Sequence, residues 1–498
     1  MQTPKKVTVT LEPLHKQLQV VAHTPLIDVI NEFGVEFPCG GKGICGACKV
    51  KLLSGHIEKE KHHADFLEKL GLDDHWRLAC LSTVSEDITL EIAQWENVIL
   101  ADNSTFEFEP QSGFGIAIDL GTTTVVAQLT DLSNGSVTGV QSIINPQAVY
   151  GADVMSRIET ALSDEGARTL RQLIRDTLMG LIDGFVDGKE IDLKKIVLVG
   201  NTAMHHIFCG LDVNPLARYP FESPCLGLQR FTPADLGWRL NPSVEILFYP
   251  SLGGFVGSDI LAGIVSAKID KNEKLTALID LGTNGEIVLG NRNGIVCAST
   301  AAGPAFEGTN ISMGMRATTG AISAVGRKNN RLKAHTIGNV TPRGICGSGL
   351  IDAVAILLEL GRIDSSGACA NEEEEILIES PVSLSQGDIR EFQLAKAAIA
   401  AGLQVLANTL NKTLEDIDTL YIAGGFGNFI NIEHVCSTGL IEIDKKRIVK
   451  LGNSALLGAK IFLFSNEADI DNTVKLCRHV SLDADAGFQD IFVEKMFF

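Results

Sequence analysis

Four cysteines in the first hundred residues have the types and spacing to share a metal centre. Cys39, Cys45 and Cys48 lie in F-P-C-G-G-K-G-I-C-G-A-C-K-V, a C-x5-C-x2-C run, and Cys80 follows in H-W-R-L-A-C-L. Gly40, Gly41, Gly43 and Gly46 interleave the first three. So glycine-rich a loop can bend until several thiolates converge, with backbone N–H groups free to reach inorganic sulfides. A four-thiolate 2Fe–2S centre needs both features. A structural zinc site also takes four cysteines, but it commonly presents two short knuckles, and here the fourth cysteine stands alone. The same glycines match G-x-G-x-x-G, yet they do not open a helix after a strand, so a dinucleotide site is not implied.

A second set of residues suits phosphate. Residues 116–129 read I-A-I-D-L-G-T-T-T-V-V-A-Q-L, the pattern of a strand, a tight turn and a second strand. Gly121 lets the backbone approach a ligand. Thr122, Thr123 and Thr124 offer hydroxyls and N–H donors, and Asp119 suits the Mg2+ that travels with nucleotide phosphates. Residues 277–290 repeat I-D-L-G-T with Asp280, followed by Gly282, Thr283, Asn284, Gly285 and Glu286. An echo 161 positions on suggests a duplicated domain rather than a short-period repeat. Glu286 could orient an attacking water, or be a salt-bridged strand residue. A third glycine-rich turn, Y-I-A-G-G-F-G, supplies Gly424, Gly425 and Gly427. Gly303 and Gly347 mark two further turns, the latter at an expected helix start where N–H groups are presented.

The chain that must position these residues has 498 of them, enough for about three domains. Hydrophobic residues at 45% and charged ones at 21% describe an ordinary globular protein. The net charge of −19 argues against nucleic-acid or anionic-membrane partners. No apolar run reaches the roughly 18–20 residues of a membrane span, and the start has no signal core, so a cytoplasmic location is expected. Eleven scattered cysteines fit a reducing compartment. Residues 6–10 and 17–21 alternate like paired strands. Thr24 and Pro25 read as the cap and first turn of a helix through about Phe33. Residues 150–186 carry one long helical pattern with Asp153 and Arg157 on one face, and 393–410 form an alanine-rich helix. His205 and His206 read as packing rather than metal ligands, and Cys346 as structural.

The first segment resembles the plant- and adrenodoxin-type ferredoxins of β-grasp fold, which implies Cys39, Cys45, Cys48 and Cys80 as ligands of a 2Fe–2S cluster. Residues 119–124, 280–286 and 424–427 resemble the two phosphate motifs and the adenosine motif of the sugar kinase, heat-shock chaperone and actin superfamily. That implies a multidomain chain: an α+β ferredoxin followed by a duplicated α/β actin-like ATPase fold holding ATP and Mg2+. The expected divisions are 1–95 ferredoxin, 96–112 linker, 113–270 lobe I and 271–498 lobe II. Together with G-N-T-A-M-H-H and A-G-G-F-G-N, the arrangement resembles the reductive activators of corrinoid-dependent methyltransferases, which use a reduced cluster and ATP to restore Co(II) corrinoid to Co(I). The resemblance implies a corrinoid-protein partner and an upstream reductant such as a flavodoxin or ferredoxin, with a homodimer left open. Family members often carry a middle domain, for which 96–112 leaves no room. Two other readings stand beside it: a low-potential donor activating a dehydratase or reductase, and a kinase of the superfamily with a redox module.

Overall fold

The computed structural model describes residues 5–12, 16–30, 48–59, 67, 74–92, 106–151, 153–186, 190–282, 284–308, 310–315, 317, 320–328, 331–337, 341–370, 375–424 and 430–498. The chain forms two compact units, one of Met1–Ala101 with Ala305–Phe392, the other of Asp102–Pro304 with Gln393–Phe498.

In the first unit, the alternation of Val7, Val9 and Leu11 buries one face of the strand Lys6–Glu12. That strand pairs antiparallel with Lys16–Val21 and parallel with Ile88–Ile92, and Lys49–Ser54 and Trp76–Leu78 complete a five-stranded sheet. A parallel first and last strand with a helix between them is the β-grasp arrangement expected. Thr24 and Pro25 are not a helix start. They form a short strand against Thr83 and Val84, and the Thr24 hydroxyl donates to the Val21 carbonyl instead of capping. The described helix is Leu26–Ile30, with Leu26, Ile27, Val29 and Ile30 in the core.

The rest of this unit comes from the other end of the chain. A three-stranded sheet (Arg331–Thr336, Ala321–Lys328, Gly344–Ile345) and the helix Gly347–Glu359 belong to Ala305–Phe392. Ala321, Ile337 and Cys346 join the same apolar cluster as Val9, Leu26 and Leu90. A division of the chain by linear order places these residues in lobe II; by packing they share a core with the β-grasp sheet.

The second unit holds two six-stranded sheets that match in five strands and differ in where the sixth is added. In the first, the meander Phe114–Leu120, Thr124–Asp131, Val137–Ile144 is followed by Leu193–Gly200 and Glu245–Phe248, both parallel to the first strand's direction. In the second, Thr276–Leu281, Gly285–Asn291 and Gly294–Thr300 form the meander, and Thr419–Ala423 and Ile448–Gly452 are the parallel pair. The repeated I-D-L-G-T thus marks two copies of a five-stranded arrangement; the sixth strand differs, Gln229–Phe231 pairing antiparallel with Glu245–Phe248 in one and Cys477–His479 pairing parallel with Gly294–Thr300 in the other.

Two helices link the sheets. Ser258–Ser266 leads from the first sheet towards the second, and Ser454–Phe464 follows the last parallel strand of the second. The latter packs back on the first sheet: Tyr249 stacks on Phe462 at 4.3 Å, and Leu463 lies against Gly115. The helices meet at Gly458, where a Cβ would stand 2.1 Å from the Ala262 carbonyl oxygen. Only glycine permits that approach.

Three further expectations are corrected. Residues 150–186 form two helices, Val154–Ala161 and Asp164–Val186. Asp153 caps the first through the Ser156 N–H and is exposed, whereas Arg157 is buried and donates to the Gly151 carbonyl. The segment read as a tether is docked where described: Phe106 and Phe108 pack on Phe464 at 5.4 and 4.5 Å. Residues 96–105 lie outside the described residues. The alanine-rich helix starts earlier than expected, at Gln386, and ends at Thr409.

Candidate functional site

Asp119 and Asp280 occupy the same place in the two sheets, each next to last in the first strand of a meander. The turns after them differ by one residue, four lying between Leu120 and its partner Val125 and three between Leu281 and Gly285. Gly121 N–H donates to the Thr124 carbonyl and Gly282 N–H to the Asn284 carbonyl, both at 3.1 Å. Opposite Asp119 across the ladder is Val126, but opposite Asp280 is Glu286. Two carboxylates facing each other across an antiparallel pair repel, so the second hairpin is the more strongly charged.

Asp259 joins them. It lies in the first turn of Ser258–Ser266, where its carboxylate accepts the Ile260 N–H at 2.8 Å. All four acids are partly open to solvent, and all hold their protons unusually long. Burial raises Asp119 from 3.8 to about 6, against the opposing hydrogen bond from Asn453. Burial and then Asp119 raise Asp280 to about 7. Burial, Asp119 and Asp280 raise Asp259 to about 7. Glu286 is pushed well up by burial and by Asp259 and Asp280. What surrounds Glu286 is therefore two carboxylates and the Asn284 amide, not the cation of a salt bridge.

Such a cluster is poised for a cation. No three His, Cys, Asp or Glu side chains among the described residues cage an ion by themselves. Mg2+ rarely asks for that, since it keeps several waters and takes one or two carboxylates together with phosphate oxygens. The sign of the pH dependence follows. Unfolded, these aspartates ionise near 3.8; folded, Asp259 and Asp280 do so near 7. Their contribution is nil below the lower value, turns unfavourable as pH rises between the two, and is constant above. At about 1.4 kcal/mol per pKa unit it amounts to several kcal/mol. Millimolar Mg2+ stabilises the ionised forms, so the rise in Tm that it gives should be larger at about pH 8 than at about pH 5. Thermal unfolding checks this, and a rise independent of pH contradicts it.

The remaining expected ligand groups divide. Thr122 is buried, and its hydroxyl accepts from the Asn201 amide at 2.7 Å. The Thr123 carbonyl accepts the Asn145 N–H, and Thr124 begins the second strand. Gly424 has φ +98° beside Asp280, where a Cβ would stand 2.7 Å from Oδ1. Gly425, Gly427 and Thr283 lie outside the described residues. Gly285 is a packing glycine, its Cα facing the Thr300 hydroxyl and Ile399. Gly303 has φ +73° in open space. Gly347 belongs to the first unit, where a Cβ would meet the Phe306 carbonyl oxygen at 1.9 Å. His206 bonds the Thr202 carbonyl and the Ser223 hydroxyl, and the buried His205 is lowered to about 3 by desolvation. Both are packing residues, as expected, and burial pushes the Cys346 thiol up.

Sequence reading missed Asp259 and Asn453. Each opens a long apolar helix in the pattern of a helix start, G-S-D-I and G-N-S-A. That signal locates the helix but says nothing of the distant strand it reaches.

In the first unit, the Cys48 and Cys80 thiols have their Sγ atoms 3.1 Å apart. The Ala79 N–H donates to the Cys48 carbonyl and ties the two segments together. A disulfide would need about 2.05 Å; converging thiolates that share one metal need this kind of approach, so the pair fits the expected cluster. Cys39 and Cys45 lie outside the described residues.

Comparisons with known proteins match three successive segments of the chain. Residues 9–85 match the model of the 2Fe-2S iron-sulfur cluster binding domain, 114–272 that of the RACo middle region, and 274–498 that of the C-terminal, ASKHA domain of RACo. The middle region is thus the segment assigned above as lobe I. The chain is 35% identical over 458 residues to the corrinoid activation enzyme RamQ of Eubacterium limosum, covering 84% of this chain and 77% of that protein. It is 26% identical over 406 residues to the [Co(II) methylated amine-specific corrinoid protein] reductase of Methanosarcina barkeri, covering 74% and 73%. A solved structure of a reductive activator for corrinoid, iron-sulfur protein superposes with a TM-score of 0.68 at 27% identity, over 99% of this chain and 98% of that one. With its three segments in this order and a relative matched over most of its length, the chain belongs to the RACo family of corrinoid activators.

Proposed function

We propose that this protein couples ATP hydrolysis to the one-electron reduction of an inactive Co(II) corrinoid protein, returning it to Co(I) for methyl transfer. The observation that carries the reading is the 35% identity to a corrinoid activation enzyme over most of both chains. The Methanosarcina barkeri reductase and the solved reductive activator share its theme.

Cys39, Cys45, Cys48 and Cys80 would hold the 2Fe–2S cluster. Bound there, it supplies single electrons near about −400 mV if it resembles plant-type centres. Reduction of a lower-potential acceptor is uphill, each roughly 59 mV costing tenfold in a one-electron equilibrium, and this is the reason to spend ATP.

In the second unit, Asp119 and Asp280, one from each sheet, would hold Mg2+, and Thr122 and Thr123 would donate to phosphate oxygens. Glu286 and Asp259 stand where a water can be oriented, and their elevated proton affinity suits a group that accepts a proton near neutral pH. Gly424 would let the backbone lie against the adenosine, the role the sequence also gives Gly425 and Gly427, and Gly303, in open space, would border the nucleotide. An upstream flavodoxin or ferredoxin, a homodimer and a cytoplasmic location complete the proposal.

Mixing the reduced protein with an oxidised corrinoid protein and following the Co(I) absorbance tests it. Reduction is expected with Mg-ATP and should be slight without. Equal reduction in both would remove the coupling.

A further inference from the structure

Three asparagines share one geometry. Asn145 precedes the 3-10 turn Pro146–Val149, Asn201 precedes the helix Thr202–Cys209, and Asn453 precedes Ser454–Phe464. Each side-chain oxygen caps its own helix, accepting from Gln147 N–H at 3.0 Å, Met204 N–H at 3.0 Å and Leu456 N–H at 2.9 Å. Each amide nitrogen is then left to donate elsewhere. Asn145 donates to the Gly121 carbonyl at 2.9 Å, Asn201 to the Thr122 hydroxyl at 2.7 Å, and Asn453 to Asp119 Oδ2 at 3.0 Å.

A cap needs only an oxygen, which serine, threonine or aspartate supplies as well. Asparagine alone among the favoured caps adds an N–H donor pair to that oxygen. A single capping asparagine is commonplace and says nothing. Three that reach from separate elements to Asp119, Gly121 and Thr122 of one turn form one cradle.

We propose that Asn145, Asn201 and Asn453 are positioning residues that hold the first phosphate turn in its nucleotide-binding shape. The proposal rests on the nucleotide reading given above. Asn453 has an added part. It follows the strand Ile448–Gly452 of the second sheet, yet it holds an aspartate of the first sheet 334 residues away. A shift of the second sheet relative to the first must carry or break that bond, so the shape of the first turn depends on the placement of the second sheet.

Asn453→Ser separates the two duties, because the serine oxygen still caps Leu456 while the amide donor is gone. In the full-length protein, affinity for a fluorescent Mg-ADP analogue should fall roughly tenfold, the loss of one hydrogen bond to a charged group. KM for ATP should rise in step with little change in kcat, the mark of lost ground-state positioning. The Tm should stay near that of the wild type, since the cap is kept. Asn145→Asp, which keeps its cap and turns a carboxylate on the Gly121 carbonyl, should weaken Mg-ADP binding similarly, and it decides the matter if Asn453→Ser does not fold. A folded variant that binds Mg-ADP as the wild type does, with KM unchanged, overturns the cradle. Wild-type protein that binds no Mg-ADP overturns the nucleotide reading instead.

Discussion

Asp280→Ala is expected to cut ATP hydrolysis by roughly 10²–10³-fold or more in kcat, the scale seen when one preorganised charge-stabilising group is removed. The iron–sulfur absorption should stay intact. Asp280 stands at the centre of the acid cluster: it faces Glu286 across the ladder, and it raises the proton affinity of both Asp259 and Glu286. Removing it withdraws one of two carboxylates available to Mg2+ and also lets Asp259 and Glu286 ionise earlier. Asp119→Ala should behave alike, with the added loss of the partner for Asn453. Neither position lies in the unit that carries Cys48 and Cys80, so the visible spectrum should not respond. Steady-state phosphate release together with an absorption spectrum of the same sample makes the check. An active Asp280→Ala protein would remove the acid cluster from the reaction.

Cys80→Ser should give the reverse pattern, a protein that hydrolyses ATP but lacks the 2Fe–2S spectrum and reduces no corrinoid. The Cys80 sulfur is 3.1 Å from that of Cys48, close enough for the two to serve one metal atom. A serine hydroxyl is far less acidic than a thiol and is a harder ligand, so it does not replace a thiolate in such a site. Anaerobic reconstitution with iron and sulfide, followed by absorption spectroscopy, gives the answer. A normal spectrum from Cys80→Ser would dismiss it as a ligand.

The two turns were legible because everything that makes them is local. In I-D-L-G-T the strand, the aspartate at its end and the glycine that admits the turn fall within five residues, and the glycine N–H closes each turn at 3.1 Å, on the Thr124 carbonyl in one copy and the Asn284 carbonyl in the other. The β-grasp strands were legible through the alternation of Val7, Val9 and Leu11. Local signals also misled. Thr24 and Pro25 carry the letters of a helix cap, but pairing with Thr83 and Val84 claimed their backbone first. The helical period of 150–186 runs on through Leu162 and Ser163, where the chain breaks into two helices; the Ser163 hydroxyl caps the second by accepting the Gly166 N–H.

By itself, the sequence determined the order of modules, the paired Asp-Gly-Thr turns and the family, since each is written in short runs of neighbouring residues. Tertiary structure alone decided that Asp259 completes the acid cluster, that Asn453 reaches Asp119, and that Ala305–Phe392 shares a core with the β-grasp sheet. These contacts join residues far apart in the chain, through helices whose apolar surfaces can pack on any complementary face. Apolar burial is non-directional, so an apolar run says that a helix will be buried but not against which sheet.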